Sequence, residues 1–221
     1  MSEREAYILL NMMGSIGPVR VRNLGSVLGG IPAILEADAR SLMHADGIGS
    51  ELAEQIVRQR RSLDWRAELD RASSAGFRIV TRVDAEYPAS LAQIYDPPLA
   101  FYVRGQLESR DQHALAVVGT RRPTHYGRDV AVRLAADLAG AGWTVVSGLA
   151  EGIDTAAHEG ALKAGGRTLA VLGSGPDCLF PKSNAGLADR IAERGAVITE
   201  YPFGRQPDKT TFPYRNRVVS G

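Results

Sequence analysis

Cysteine is nearly absent from this sequence: Cys178 is the only one in 221 residues. A lone thiol excludes an internal disulfide framework and any cysteine-based zinc cluster. Lysine is almost as scarce, with three (Lys163, Lys182, Lys209) against 23 arginines. No apolar run approaches the roughly 18 residues that a membrane-spanning helix needs. The N-terminus places Glu3, Arg4 and Glu5 ahead of a short apolar stretch and lacks a small-residue cleavage site. That argues against a secretory signal and for a cytoplasmic protein. Strong charge of one sign is missing too, since the formal net charge is +1. Any nucleic-acid site must therefore be a local patch of cations, and composition alone favours a small-molecule protein.

The distribution of charge says more than its sum. Residues 1–87 hold 11 basic and 12 acidic side chains, and residues 88–221 hold 15 and 13. The last 17 residues carry Arg205, Lys209, Arg215 and Arg217 against a single acid, Asp208.

Two regimes divide the chain. Residues 1–87 read as a small all-α domain of the helix–hairpin–helix or SAM-like kind. Ile8, Leu9, Met12 and Met13 have helical spacing before a break at Gly14-Ser15-Ile16-Gly17-Pro18. Helices are expected at Val19–Leu28, around Ile34–Met43 and at Glu51–Arg60, the last after a similar break at Asp46-Gly47-Ile48-Gly49-Ser50. Such glycine turns bring a helix N-terminus within reach of a phosphate, so contact with duplex DNA here is an expectation; a protein-interaction module would have the same turns. A further helix near Leu63–Ala75 and a short strand at Phe77–Val80 lead to the Pro97-Pro98 pair and a strand ending near Gly105.

Residues 88–221 read as a Rossmann-like α/β domain. Strands at Leu115–Gly119 (expected to be buried), Trp143–Gly148, Thr168–Gly173 and Ala196–Thr199 alternate with helices at Gly127–Ala141, Thr155–Lys163 and Ala185–Arg194. That alternation gives a parallel sheet with right-handed crossovers. Four strands leave one edge of it unfinished, as in a domain truncated at its C-terminal end.

Ligands of such a sheet bind beyond the carboxyl ends of the strands. The first three ends carry Gly119-Thr120-Arg121-Arg122, Ser147-Gly148 and Gly173-Ser174-Gly175. Glycines that admit a ligand to the backbone, helix starts and two arginines together suggest a phosphate site, although any one strand-to-helix turn needs glycine anyway. The first loop has Arg121, and the third has Cys178, where a dinucleotide fingerprint needs glycine. No Walker A sequence and no zinc-protease pattern occurs. His44, His113, His125 and His158 are scattered, and Asp154 reads as an N-cap. This reading calls for no catalytic residue, metal or cofactor. Two segments, Phe180-Pro181-Lys182-Ser183-Asn184 and Phe212-Pro213-Tyr214-Arg215-Asn216-Arg217, each combine an aromatic, a cation and an amide, the groups that stack a base, neutralise a phosphate and bond a base edge.

These residues resemble the DNA-processing protein A (DprA/Smf) family in order and spacing. The resemblance rests on Gly119-Thr120-Arg121 with Tyr126-Gly127, Ser147–Asp154 with Ala157-His158, Val171–Gly175 with Phe180-Pro181 and Asn184, Glu200–Gly204, and Phe212–Arg217. It is close over 88–221 and looser over 1–87. It implies a bacterial protein without catalytic activity that binds incoming single-stranded DNA in natural transformation, helps load the RecA recombinase and dimerises through its core domain. Carried over by motif, Arg121, Gly127, Lys182, Arg215 and Arg217 are expected phosphate contacts and Phe180 a stacking residue. With their neighbours Gly119, Thr120, Arg122, Ser147, Gly148, Asn184 and Asn216 they make up the expected DNA site. Thr120 replaces the family's usual serine, and the chain stops at Gly221, before the core domain would be complete. The competing reading is a Rossmann-like nucleotide or phosphoribosyl hydrolase, with Asp154 and Glu200 as its candidate carboxylates.

Overall fold

A computed structural model describes residues 1–221. The N-terminal region is helical. Ser2 opens α1 (Glu3–Met12) with a reciprocal capping box: its hydroxyl accepts from the Glu5 N–H at 3.2 Å, and the Glu5 carboxylate accepts from the Ser2 N–H at 2.8 Å. Then come α2 (Pro18–Leu28), α3 (Ile31–Glu36), α4 (Ala39–Leu42), α5 (Ser50–Ser62) and α6 (Trp65–Ser74). The single helix expected around Ile34–Met43 is two. The chain extends at Ala37 and restarts at Asp38, whose carboxylate accepts from the Ser41 N–H at 2.8 Å. Leu10, Met13, Leu24, Ile34, Leu42 and Ile56 form a fully buried core for this bundle.

The sheet has six strands, β1 (Arg78–Thr81), β2 (Ala100–Gly105), β3 (Ala114–Ala116), β4 (Thr144–Ser147), β5 (Thr168–Val171) and β6 (Ala196–Thr199), in the order β1-β2-β6-β5-β4-β3. The four strands β3 to β6 are parallel, as their spacing predicts. β2 joins antiparallel to β6, with Tyr102 opposite Thr199, and β1 joins antiparallel to β2. The expected division at residue 87 therefore falls after the sheet has already begun. The expected buried first strand, Leu115–Gly119, is instead the short edge strand Ala114–Ala116: Leu115 is 42% exposed, and Val118 beyond it 60%.

Alternate residues of the strands serve two faces. Val145, Ala170 and Val197 face α8 (His125–Gly140), α9 (Ile153–Lys163) and α10 (Ala185–Arg194). Val146, Leu169, Val171 and Ile198 pack with Leu91 of the short α7 (Ala89–Ala92) and with Val218 and Val219 of α11 (Thr211–Ser220). A cavity of about 540 Å³ lies on this second face, and none of the expected site residues lines it.

The helical bundle is bonded to the sheet, not hung from it. Glu68 of α6, 3% exposed, accepts from the Tyr102 hydroxyl at 2.6 Å and from the Phe203 N–H at 2.9 Å. Asn11 of α1 donates to the Glu200 carbonyl at 2.9 Å. No helix is long and apolar enough to cross a membrane.

Candidate nucleic-acid interface

The three glycine loops do meet at one edge of the sheet, but their glycines face protein. A Cβ on Gly119 would lie 2.7 Å from Ile153, one on Gly148 2.4 Å from the Arg215 guanidinium, and one on Gly173 2.7 Å from the Phe212 ring. The space left by these missing side chains is filled from α9 and α11. The expectation that glycine here admits a ligand to the backbone is thus corrected: it admits the protein's own residues.

The second loop is filled by a carboxylate as well. Asp154 is not the N-cap of α9, which is Gly152 at φ 86°. Its carboxylate sits one position inside the helix and accepts from the N–H groups of Gly148 at 3.1 Å and Ala150 at 3.4 Å. An anion already occupies the donors that a phosphate would use. Burial pushes the Asp154 carboxyl up from its ordinary value, against the Ala150 N–H, the Arg215 charge and the Gly148 N–H, which pull it down. Nearby, His158 is fully buried, its Nδ1 2.7 Å from the Thr168 hydroxyl. That hydroxyl donates to the Val145 carbonyl, so Nδ1 carries the proton of the bond. Burial and the Arg215 charge hold this imidazole down to about 3, a neutral packing residue.

Among the expected site residues the structure separates surface from interior. Gly119, Thr120, Arg121, Arg122, Phe180, Lys182 and Asn216 are exposed, and Gly127 is half-buried. Ser147 is buried and its hydroxyl donates to the Val117 carbonyl at 2.6 Å. Gly148 is buried against Arg215. The Asn184 amide is buried and donates to the Leu149 carbonyl and the Thr155 hydroxyl, both at 2.9 Å. It secures Leu149, whose φ of 57° is the one left-handed non-glycine backbone in the chain.

Arg215 and Arg217 lie on α11, a helix that is not among those expected from the sequence. Arg215 is 5% exposed and donates to the carbonyls of Gly148, at 2.8 Å, and Val171, tying together the ends of β4 and β5. Arg217 donates to Glu200 at 2.5 Å, lies 2.9 Å from Asp96 and covers the Tyr214 ring with its guanidinium carbon 4.1 Å from the centroid. Burial pushes the Glu200 carboxyl up to about 7, in opposition to the Arg217 charge. Neither arginine is presented to a phosphate at the surface. The physical reason is that a buried guanidinium needs carbonyl or carboxylate partners, and both have them.

What remains at the surface is a strip. Arg121, Arg122 and Lys182 make no ion pair. The Arg121 guanidinium lies over the Phe212 ring, its carbon 4.9 Å from the centroid, and the Phe212 ring is 6.0 Å from that of Phe180, tilted by 50°. Phe180 is 47% exposed and stands two residues before Lys182. Unpaired cations beside accessible aromatic faces suit a single-stranded nucleic acid. Phe212 is not among the site residues expected from the sequence, although its place in an aromatic–cation–amide segment is an available signal. Asp154 and Glu200, the candidate carboxylates for hydrolysis, are both buried and engaged by protein donors.

Residues 78–221 match the family model of DNA recombination-mediator protein A. The chain is 34% identical over 224 aligned residues to the protein Smf of a Synechocystis species, covering 100% of this chain and 56% of the relative. It is 42% identical over 139 residues to the DNA processing protein DprA of Streptococcus pneumoniae, covering 63% and 49%. It spans about half the length of the relatives it matches. The crystal structure of DprA from Streptococcus pneumoniae is similar over 100% of this chain and 75% of that one, with a TM-score of 0.78 at 31% identity. DNA processing protein A from Helicobacter pylori, whose structural study concerns its single-stranded DNA binding mode, matches over 66% of each chain, with a TM-score of 0.58 at 33% identity.

Proposed function

This chain belongs to the DNA recombination-mediator protein A family, and from that premise we propose that it binds single-stranded DNA along the edge formed by the first loop and the Phe180–Lys182 turn. The observation that carries this reading is the strip itself. Arg121, Arg122 and Lys182 are exposed and unpaired, the Arg121 guanidinium lies over the Phe212 ring, and that ring stands beside Phe180, two residues before Lys182. Cations neutralise phosphates and release counterions, while an accessible ring gives an unpaired base a stacking face that a duplex, its bases already stacked, does not use. The interior members of the motif set, Ser147, Gly148, Asn184, Arg215 and Arg217, then build the platform and do not touch the strand.

On this reading the protein holds the strand without altering it, and a strand so held is a substrate for the RecA recombinase, the partner that a recombination mediator serves. Dimerisation through the core domain and duplex contact by the N-terminal hairpins belong to the same proposal. The proposed site is in the cytoplasm, where incoming DNA would be met.

The test is one titration series at several salt concentrations with an oligonucleotide, its duplex and a nucleoside monophosphate, read by fluorescence anisotropy. The single strand is expected to bind most tightly, with affinity falling steeply as salt rises. Full displacement of the oligonucleotide by a modest concentration of the monophosphate would favour a small-ligand site and sink this reading.

A further inference from the structure

Phe212 touches three things at once. Its ring lies under the Arg121 guanidinium, at 4.9 Å, and leans toward the exposed Phe180 ring, at 6.0 Å. Its inner edge fills the space above Gly173, where any Cβ would come within 2.7 Å of Cδ1. The ring is therefore seated against the end of β5 and cannot settle deeper, while its outer face is half-covered. Behind it, α11 is held in place by Arg215, whose guanidinium bonds the carbonyls of Gly148 and Val171.

Arg121 has no carboxylate partner and no side-chain hydrogen bond; its guanidinium rests on the Phe212 ring alone. A guanidinium on an exposed loop otherwise samples many rotamers, and ordering it on binding costs conformational entropy. A ring beneath it lowers that cost, because guanidinium–aromatic attraction favours one plane for the donors. We infer that Phe212 is a positioning residue of the single-strand site: it holds Arg121 flat for a phosphate and sets the distance between that phosphate and a base stacked on Phe180. This rests on the single-strand reading above. It assigns to α11 a role in DNA affinity that its inward-turned arginines do not fill by contact.

The test is a double-mutant cycle on the full chain, with single-stranded oligonucleotide affinity read by anisotropy and folding read by thermal melting. Phe212→Leu removes the ring and keeps apolar volume. It is expected to weaken binding about fivefold in the wild-type background and less than twofold when Arg121 is already alanine, whereas Phe212→Tyr keeps most of the affinity. Arg121→Lys, an exposed change that spares the fold, keeps the charge but not the flat stack and is expected to lose several-fold. Independent, multiplying losses in the cycle overturn the positioning role, as does full affinity in Arg121→Lys. If instead Arg121→Ala itself changes nothing, the single-strand reading is what fails. Should Phe212→Leu not fold, the Tyr and Lys variants alone decide between the outcomes.

Discussion

The first loop and α11 look alike in sequence and behave oppositely in the structure. Thr120-Arg121-Arg122 and Tyr214-Arg215-Asn216-Arg217 both set arginines beside polar groups near an aromatic, and both motifs point to the DNA surface. In the loop the guanidinium groups reach solvent and pair with no acid. On α11 they are turned inward and take four partners: the carbonyls of Gly148 and Val171, and the carboxylates of Glu200 and Asp96. Arginine suits either task, since its planar fork of donors can bind a phosphate or a set of carbonyls. What separates the two is whether a neighbouring residue leaves room. Gly148 makes the room for Arg215.

The largest effect expected from breaking this contrast is at Arg215. Arg215→Ala strips the donor from two buried carbonyls and removes the positive charge that favours the Asp154 carboxylate. A loss of about 3 kcal/mol of stability is expected, since removing one partner of a buried charged cluster strands the rest. Chemical denaturation of the variant checks it; stability near wild type with selective loss of DNA binding would return Arg215 to the surface role that its motif suggests.

Next in size is the pH response of Glu200. Its ordinary carboxyl value is 4.5 and burial raises it to about 7 in the folded chain, so the native state holds the proton more tightly than the unfolded one. The resulting stabilisation is full below pH 4.5 and is lost as pH rises through 7. Across that window wild type is expected to lose up to about 3 kcal/mol relative to Glu200→Gln, which cannot titrate. His158 slopes the other way, since its lowered value costs stability as pH falls below 6.5, and it does so in both proteins. The difference between the two denaturation curves therefore isolates Glu200. A difference that does not change with pH would show that Arg217 keeps this carboxylate ionised throughout.

Much of this architecture is legible in the amino-acid sequence. The third Rossmann helix falls at Ala185–Arg194, as its pattern predicts, and the four parallel strands sit where apolar runs end in small residues. β1 and β2 are legible as strands but not as neighbours of β6, because Tyr102 meets Thr199 across nearly a hundred residues and no local pattern encodes that pairing. α11 escapes the sequence pattern for a local reason. Pro213 reads as a helix breaker, yet it stands in the first turn, where a missing N–H breaks no intrahelical bond. The burial of Arg215 has no signal at all along the chain, since its partners lie at Gly148 and Val171, at the ends of separate strands. The motifs that make up the expected site are legible in the sequence; which of their members face solvent is not.

The smallest effect expected is at the exposed cations, and it is the one that sharpens the contrast most. Arg121, Arg122 and Lys182 touch no buried group with their charged ends, so alanine there should leave the melting temperature within a degree or two of wild type. Each of Arg121→Ala and Lys182→Ala is expected to weaken single-strand binding about tenfold, some 1.4 kcal/mol, and to make the salt dependence shallower by about one phosphate. Arg190, exposed on α10 and remote from the strand ends, supplies the control, because a diffuse positive surface would lose as much from its removal as from that of Arg121. With a net charge of +1 the protein has little diffuse field to lose. Arg190→Ala should therefore keep both the affinity and the salt slope. Equal losses at all three positions would mean that the strand is held by overall charge, and that the division between the exposed loop and the buried helix has no bearing on binding.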